Sequence, residues 1–143
     1  MHDVSVLMPL YNIEQYPAGW FERSVQSVLD RQAGCNVELV IGNDASTDRT
    51  DALLKDIAER YSGRIKVAWA EYNSGGCDNL NLAAHQADGR YFILSSIRAW
   101  YEPNSLSRMM MYLDAHPEIG FVYANGIIHE NNNQPTLRRV IPF

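Results

Sequence analysis

Little in this sequence is basic, cysteine-rich or continuously apolar, and each shortage removes a class of function. Twelve Lys and Arg stand against seventeen Asp and Glu in 143 residues, a formal charge of −5. Such a chain is repelled by a phosphate backbone, which disfavours broad nucleic-acid binding. A small phosphate ligand stays within reach, because it needs only a local cradle of backbone N–H groups or a single cation. The two cysteines, Cys35 and Cys77, match no metal-ligand spacing. They read as reduced, partly buried thiols of a cytoplasmic protein. No apolar run approaches the roughly 20 residues that span a bilayer. The opening segment has no basic n-region and reads as a first strand, not a signal peptide. Glycine is missing from the first turn, Pro9-Leu10-Tyr11-Asn12, so the Gly-x-Gly-x-x-Gly cradle of an NAD-dependent oxidoreductase is absent. A P-loop fails in the same way, since Gly-Lys-Ser/Thr occurs nowhere.

What the chain does contain is an alternation of short apolar runs with helix-period segments, in a length suited to one domain. Residues 4–8 predict a strand ended by Pro9, which cannot donate to a ladder. Phe21, Val25, Val28 and Leu29 then fall on one face of a helix. Residues 37–41 predict a second strand. Asp48 is placed to cap a second helix, with Leu53, Leu54, Ile57, Ala58 and Tyr61 on its inner side and Gly63 at its end. Residues 65–69 predict strand three. A third helix follows, with Leu80, Ala83, Ala84 and Ala87 inward and Gly89 as its stop. Strand four is expected at 91–94. Pro103 suits a first helical position, and Leu106, Met109, Met110 and Leu113 follow at helical spacing. Residues 119–123 predict a fifth strand, and the tail from Ile127 is polar and turn-like, with a further strand expected near 137–141. Apolar strands separated by helices imply a Rossmann-like, three-layer α/β/α sandwich with a mainly parallel sheet. Its ligands bind beyond the carboxyl ends of the strands.

The residues at those ends are Pro9-Leu10-Tyr11-Asn12, Asn43-Asp44-Ala45-Ser46-Thr47-Asp48, Asn73-Ser74-Gly75-Gly76 with Asn81 beyond, and Ser95-Ser96-Ile97-Arg98. Asp and Asn carry the hydrogen-bonding edges that read a base, Tyr a face for stacking, and Gly lets backbone approach a diphosphate. The run Val4-Ser5-Val6-Leu7-Met8-Pro9-Leu10-Tyr11-Asn12 resembles the opening of family 2 glycosyltransferases, which share the GT-A fold. So do the strand leading into Asp44-Ala45-Ser46-Thr47-Asp48-Arg49-Thr50 and the stretch from Asn73 through Gly75 and Asn81 to Ala87-Asp88-Gly89-Arg90-Tyr91. Glu102-Pro103 with its helix, then Pro117-Glu118-Ile119-Gly120-Phe121-Val122-Tyr123, completes the family order. The resemblance covers nearly the whole chain. It implies a nucleotide-sugar-binding domain, with a UDP-sugar as donor and a glycan, lipid or protein as acceptor. Tyr11 would lie by the base or ribose, and Asp44 would accept a hydrogen bond from uracil. Leu10, Asn12, Ser46, Asn73, Gly75, Asn81, Ser96 and Arg98 would complete the pocket. Read without the resemblance, Asp44 and Ser46 also suit turn formation, and Asn73 with Gly75 a loop needing positive φ.

The resemblance breaks where the family carries its metal-binding Asp-x-Asp (Mn or Mg). Counting back from Pro103, those positions are Ser96, Ile97 and Arg98, and no carboxylate occurs between Asp88 and Glu102. Two readings follow. Arg98 supplies the positive charge in place of the metal, or the site has decayed and Arg98 is a solvated residue. No general base is identified, and His129 with Glu130 reads as surface. The chain is expected to lack a complete acceptor half, with self-association through an uncovered face. The alternative to a transferase is a module that binds the nucleotide sugar, or an interaction partner, without turnover.

Overall fold

The computed structural model describes residues 1–129 and 135–138, with 127–129 and 135–138 described by backbone alone. Two strands dominate the sheet because their sequences have no polar face to present. β1 (Val4–Leu10) and β2 (Val37–Asn43) are buried throughout except at Pro9, as parallel strands covered on both faces must be. β3 (Ile65–Trp69) and β4 (Tyr91–Leu94) complete the order β3-β2-β1-β4, every pair parallel.

Among the described residues four α-helices pack on the sheet: α1 (Trp20–Leu29), α2 (Thr50–Arg60), α3 (Gly76–Gln86) and α4 (Ser105–Ala115). Strand alternation sends Val4, Val6, Met8 and Leu10 to one face. There they join Phe21, Val25, Val28 and Leu29 of α1, Leu54 and Ile57 of α2, and Leu106 of α4. Leu7 and Val40 point the other way and meet Ala83 of α3. Met8, Leu39, Ile41 and Leu54 are fully buried, each contributing about 1.5–3 kcal/mol by leaving water. The chain steps outward from β1 through β2 to β3, then returns by α3 on the opposite face to place β4 on the far side of β1. Its winding therefore reverses between β1 and β4. In open α/β sheets that switch point opens a crevice at the strands' carboxyl ends.

Several expected boundaries move, each for a physical reason. β1 runs through Pro9 to Leu10. The carbonyl of Leu7 accepts the last bond from the β4 side, from Ser95 N–H, and the β1–β4 ladder ends at Leu7. Pro9 faces the same side one step further on, so its missing N–H costs no ladder bond. α2 starts at Thr50, and Arg49 in the cap position makes no side-chain cap bond. Asp48 serves one residue earlier than a cap, its Oδ1 accepting from Thr50 N–H at 2.9 Å. Leu53 is 38% exposed instead of inward. α3 ends at Gln86, ahead of Gly89. That glycine serves close approach: a Cβ there would lie 2.5 Å from Ser5 N and 2.9 Å from Val4 C.

The expected fifth strand at 119–123 does not form. Ile119 N–H closes a turn on His116, Phe121 and Tyr123 are exposed, and among the described residues β4 pairs only with β1. Apolar sequence supplies a face to bury, but a strand needs a hydrogen-bonding partner as well. Two short strands appear instead, β5 (Gly126–His129) and β6 (Pro135–Arg138), paired antiparallel. β6 overlaps the start of the strand expected at 137–141, whose last three residues, with Glu130 and the turn-like 131–134, lie outside the described residues. Among the described residues no helix is long and apolar enough to cross a membrane.

Candidate functional site

The loops after β1 and β2 are tied together by short polar side chains. Asn12 adopts φ +50°, a left-handed conformation that asparagine tolerates better than most residues. From there its N–H donates to Ser46 Oγ at 2.9 Å, and its Oδ1 accepts from Thr47 N–H at 2.8 Å. Ser46 Oγ donates to Asn43 Oδ1 at 2.6 Å, and Asn43 Nδ2 donates to Asp51 Oδ1 at 2.7 Å. Ile13 N–H donates to Thr50 Oγ1 at 2.8 Å. Tyr11 stands beside this lattice with 36% of its surface exposed.

Asp44 is only 3% exposed, and its carboxylate is turned to the loop after β3. Oδ1 accepts from Ser74 N–H at 2.8 Å and Ser74 Oγ at 3.3 Å, and Oδ2 accepts from Gly75 N–H at 2.9 Å. Gly75 sits at φ 90°, ψ 165°, a region open to glycine alone. One aspartate therefore sets the entry to α3. Asn73 is exposed on the same loop.

Two buried asparagines, Asn43 and Asn79, belong to this frame, and neither was among the expected pocket residues. Asn79 Nδ2 donates to Gly42 O at 2.8 Å and Leu10 O at 3.3 Å, bridging the ends of β1 and β2. Its Oδ1 lies 2.4 Å from where a Gly42 Cβ would be, so glycine there makes the room. The signal was present: position 79 is four residues before inward Ala83 and shares its face. Asn81 lies two residues on, roughly 200° round the helix, and is exposed; it is not brought to the strand-end cluster. Leu10 has its side chain in the core, 6% exposed. It contributes its carbonyl, which accepts from Asp44 N–H at 3.1 Å.

The loop after β4 is bolted to α1. Ser24 Oγ donates to Ala99 O at 2.8 Å, and Ser27 Oγ accepts from Tyr101 N–H at 3.0 Å. Ile97 is plugged into the core at 4% exposure. That plug leaves Ser96 and Arg98 exposed on either side of it. The Arg98 guanidinium lies 5.9 Å over the Tyr16 ring, so it spans the gap between the β1 and β4 loops. Switch-point geometry and these two loops coincide.

Comparison with known proteins identifies the lineage. The model of "Glycosyl transferase family 2" matches residues 5–142. The chain belongs to glycosyl transferase family 2. Among curated relatives of this glycosyltransferase domain is the minor teichoic acid biosynthesis protein GgaB of Bacillus subtilis, 28% identical over 92% of this chain and 15% of its own length. Another is the putative glycosyltransferase EpsE of Bacillus subtilis, 34% identical over 79% of this chain and 39% of its own. This chain thus spans well under half the length of either relative. Among solved structures, S. aureus TarS 1–349 in complex with UDP superposes with a TM-score of 0.67, at 28% identity over 80% of this chain and 33% of that one. The fold is of the GT-A type that these glycosyltransferases share.

The family's divalent metal does not fit this glycosyltransferase domain. A hard cation takes several oxygen ligands, carboxylates foremost. The expected positions offer the Ser96 hydroxyl, which accepts from Arg98 N–H at 3.3 Å, a core isoleucine, and a cation. Asp44 already accepts three hydrogen bonds, from Ser74 and Gly75. Among the described residues the one His/Asp/Glu cluster with metal-like spacing is His2, Glu38 and Asp88, at the amino ends of the strands, and the Lys66 ammonium already fills it. The cavities do not mark the site either. One of about 350 Å³ lies between β4 and α4, and one of about 300 Å³ beside Ile13, Tyr16 and Arg49. Asp44, Gly75, Ser96 and Arg98 line neither of these two.

Proposed function

We propose that this family 2 domain binds a nucleoside diphosphate sugar, specifically a UDP-sugar, in the crevice between the β1 and β4 loops, for transfer of the sugar to an acceptor hydroxyl. The observation that carries the reading is the coincidence of the winding switch point with loops bearing Tyr11, Asn12, Ser96 and Arg98. Uridine is favoured because TarS, the relative described with UDP, is similar over four-fifths of this chain. Tyr11 offers the base a stacking face. An ionised carboxylate has about four acceptor sites. Asp44 uses three on Ser74 and Gly75, so it has room for one more donor, such as the base N–H. In the transfer, the bond from sugar C1 to the diphosphate oxygen breaks and a bond to the acceptor oxygen forms. The acceptor proton passes to a general base.

Calorimetric titration of the 143-residue chain with UDP, GDP and uridine tests the binding. UDP is expected to bind, GDP at least about tenfold more weakly, the scale of losing base contacts worth 1.4 kcal/mol. Failure of every nucleotide to bind would sink the reading. A second reading, a module that holds the donor without turnover, is favoured by the missing carboxylates at Ser96 and Arg98. Donor hydrolysis or transfer by a chain that binds UDP would remove it.

A further inference from the structure

We infer that the diphosphate of the donor is held here by the Arg98 guanidinium in place of a divalent cation, an inference that rests on the nucleotide-sugar reading above. A diphosphate brings concentrated negative charge to a chain that is itself at −5, so its site must provide a local cation. The two positions that would carry the metal carboxylates hold instead a neutral hydroxyl, Ser96, and a positive charge, Arg98.

Arg98 meets the requirement by geometry as well as charge. Its loop is fixed at both ends, by Ser95 N–H on Leu7 O at 2.8 Å and by Ser24 Oγ on Ala99 O at 2.8 Å. The buried Ile97 locks the register between them. Among the described residues its guanidinium has no carboxylate partner; the contact it makes is with the face of Tyr16. At 5.9 Å from the ring centroid it is near the outer limit of a cation–π contact, so the ring occupies none of the guanidinium's N–H donors, and the planar fork matches two phosphate oxygens. Arg23, 3.9 Å over the Trp100 ring, brings a second guanidinium to the same loop, also without a carboxylate partner among the described residues. Arg49, Arg60 and Arg90 are each paired with an acidic side chain, while Arg64 donates to the Leu29 carbonyl, away from this loop. Guanidinium charge is left uncompensated beside the crevice that has lost its metal carboxylates.

The test is titration of UDP and of uridine, each with EDTA and with Mn²⁺, on the 143-residue chain and on Arg98→Ala, Arg98→Lys and the double variant Ser96→Asp/Arg98→Asp. UDP affinity of the unaltered chain is expected to be the same in both buffers. Arg98→Ala should weaken UDP by about tenfold or more, as loss of charge-assisted bonds implies, and leave uridine unchanged. Arg98→Lys, which keeps the charge and loses the fork, should fall between. The double variant should bind UDP only with Mn²⁺. Because Arg98 is exposed, an unchanged melting temperature will show that these variants still fold. Mn²⁺-dependent UDP binding by the unaltered chain, or equal losses of UDP and uridine in Arg98→Ala, overturns the inference and leaves the nucleotide reading standing. No binding of either ligand overturns both.

Discussion

The end of the sheet opposite the crevice carries a buried ion network whose strength is open to measurement. Glu38 on β2 is fully buried. Its Oε1 accepts from Ser5 Oγ at 2.5 Å and from Asp88 N–H at 2.7 Å. Lys66 Nζ on β3 lies 2.8 Å from Glu38 Oε2 and 3.0 Å from Asp88 Oδ2. Lys66→Met keeps the aliphatic stem and removes the charge. Loss of one partner from a buried pair costs about 3–5 kcal/mol. The Lys66 side chain is 35% exposed and His2 Nδ1 remains 3.4 Å from Glu38, which places this case at or just below the lower figure, about 2–3 kcal/mol. For a chain of this size that lowers the melting temperature by roughly 6–12 °C. Urea unfolding at pH 7 of Lys66→Met, Glu38→Gln and the double variant gives the coupling directly. The double variant should be less destabilised than the sum of the singles by about 1–3 kcal/mol.

The pH dependence provides a second reading of the same network. Burial pushes the Glu38 carboxyl up, but the bonds from Lys66, Ser5 and Asp88 N–H outweigh it, and its pKa falls below the usual carboxylate value. His2 and Lys66 lower that of Asp88 as well. Both carboxylates therefore stabilise the fold above about pH 4, and that contribution disappears as pH falls through their lowered values. Lys66 is raised by its bond to Glu38; its contribution is complete below about pH 10 and goes as pH rises through the raised value. The unaltered chain should lose stability below pH 4 more steeply than the double variant. Additive single effects, or a Lys66→Met cost under about 0.5 kcal/mol, would refute the assignment of a coupled buried pair.

Two further outcomes follow from close contacts. Gly89→Ala should destabilise the chain by about 1–3 kcal/mol, the usual cost of overpacking, because the added Cβ meets the β1 backbone at Val4 and Ser5; an unchanged melting temperature would contradict the packing of β4 on β1. Asp44→Asn puts an amide donor against one of two backbone donors, Ser74 N–H or Gly75 N–H, and should cost about 1–3 kcal/mol. Hydrogen exchange at those two amides should rise with it, and exchange that stays slow would show that the loop does not depend on this carboxylate.

The parallel core was legible from sequence because its signals are local and repeated. Apolar runs 37–41, 65–69 and 91–94 all become parallel strands, although Phe92 and Leu94 leave one face of β4 exposed, and Phe21, Val25, Val28 and Leu29 mark one face of one helix. The segment 119–123 carries the same apolar signal and forms no strand, since pairing is decided by a partner elsewhere in the chain. Boundaries slipped where a residue's usual effect was cancelled by its surroundings: Pro9 faces past the end of a ladder, and Gly89 serves a close approach in place of a helix stop. At the site, residue types at the strand ends pointed to polar loops. Side-chain direction did not follow from them. Asn79 and Asn81 are two positions apart and chemically identical, yet helix rotation sends the first to the β1–β2 ends and the second outward.

The two ends of the sheet treat charge in opposite ways, and that contrast bears on what the crevice is built to do. At the amino ends, Glu38, Asp88 and Lys66 sit within hydrogen-bonding distance of one another, a closed set with little left to offer a ligand. At the carboxyl ends, Asn12, Asn43, Ser46 and Asp44 also direct most of their hydrogen bonds to protein, but what they hold is loop backbone beside the crevice. Their work is to fix positions in advance, and preorganised donors cost no reordering when a ligand arrives. A substitution at Asp44 or Ser46 will therefore disturb the loops themselves and, on the proposed reading, would weaken nucleotide binding even where the side chain touches no ligand. Arg98 and Tyr11 differ: both are exposed, and among the described residues neither side-chain end hydrogen-bonds into this lattice. A loss at these two that depends on which ligand is offered, diphosphate for one and base for the other, separates contact from framework in a way that losses at Asp44 cannot.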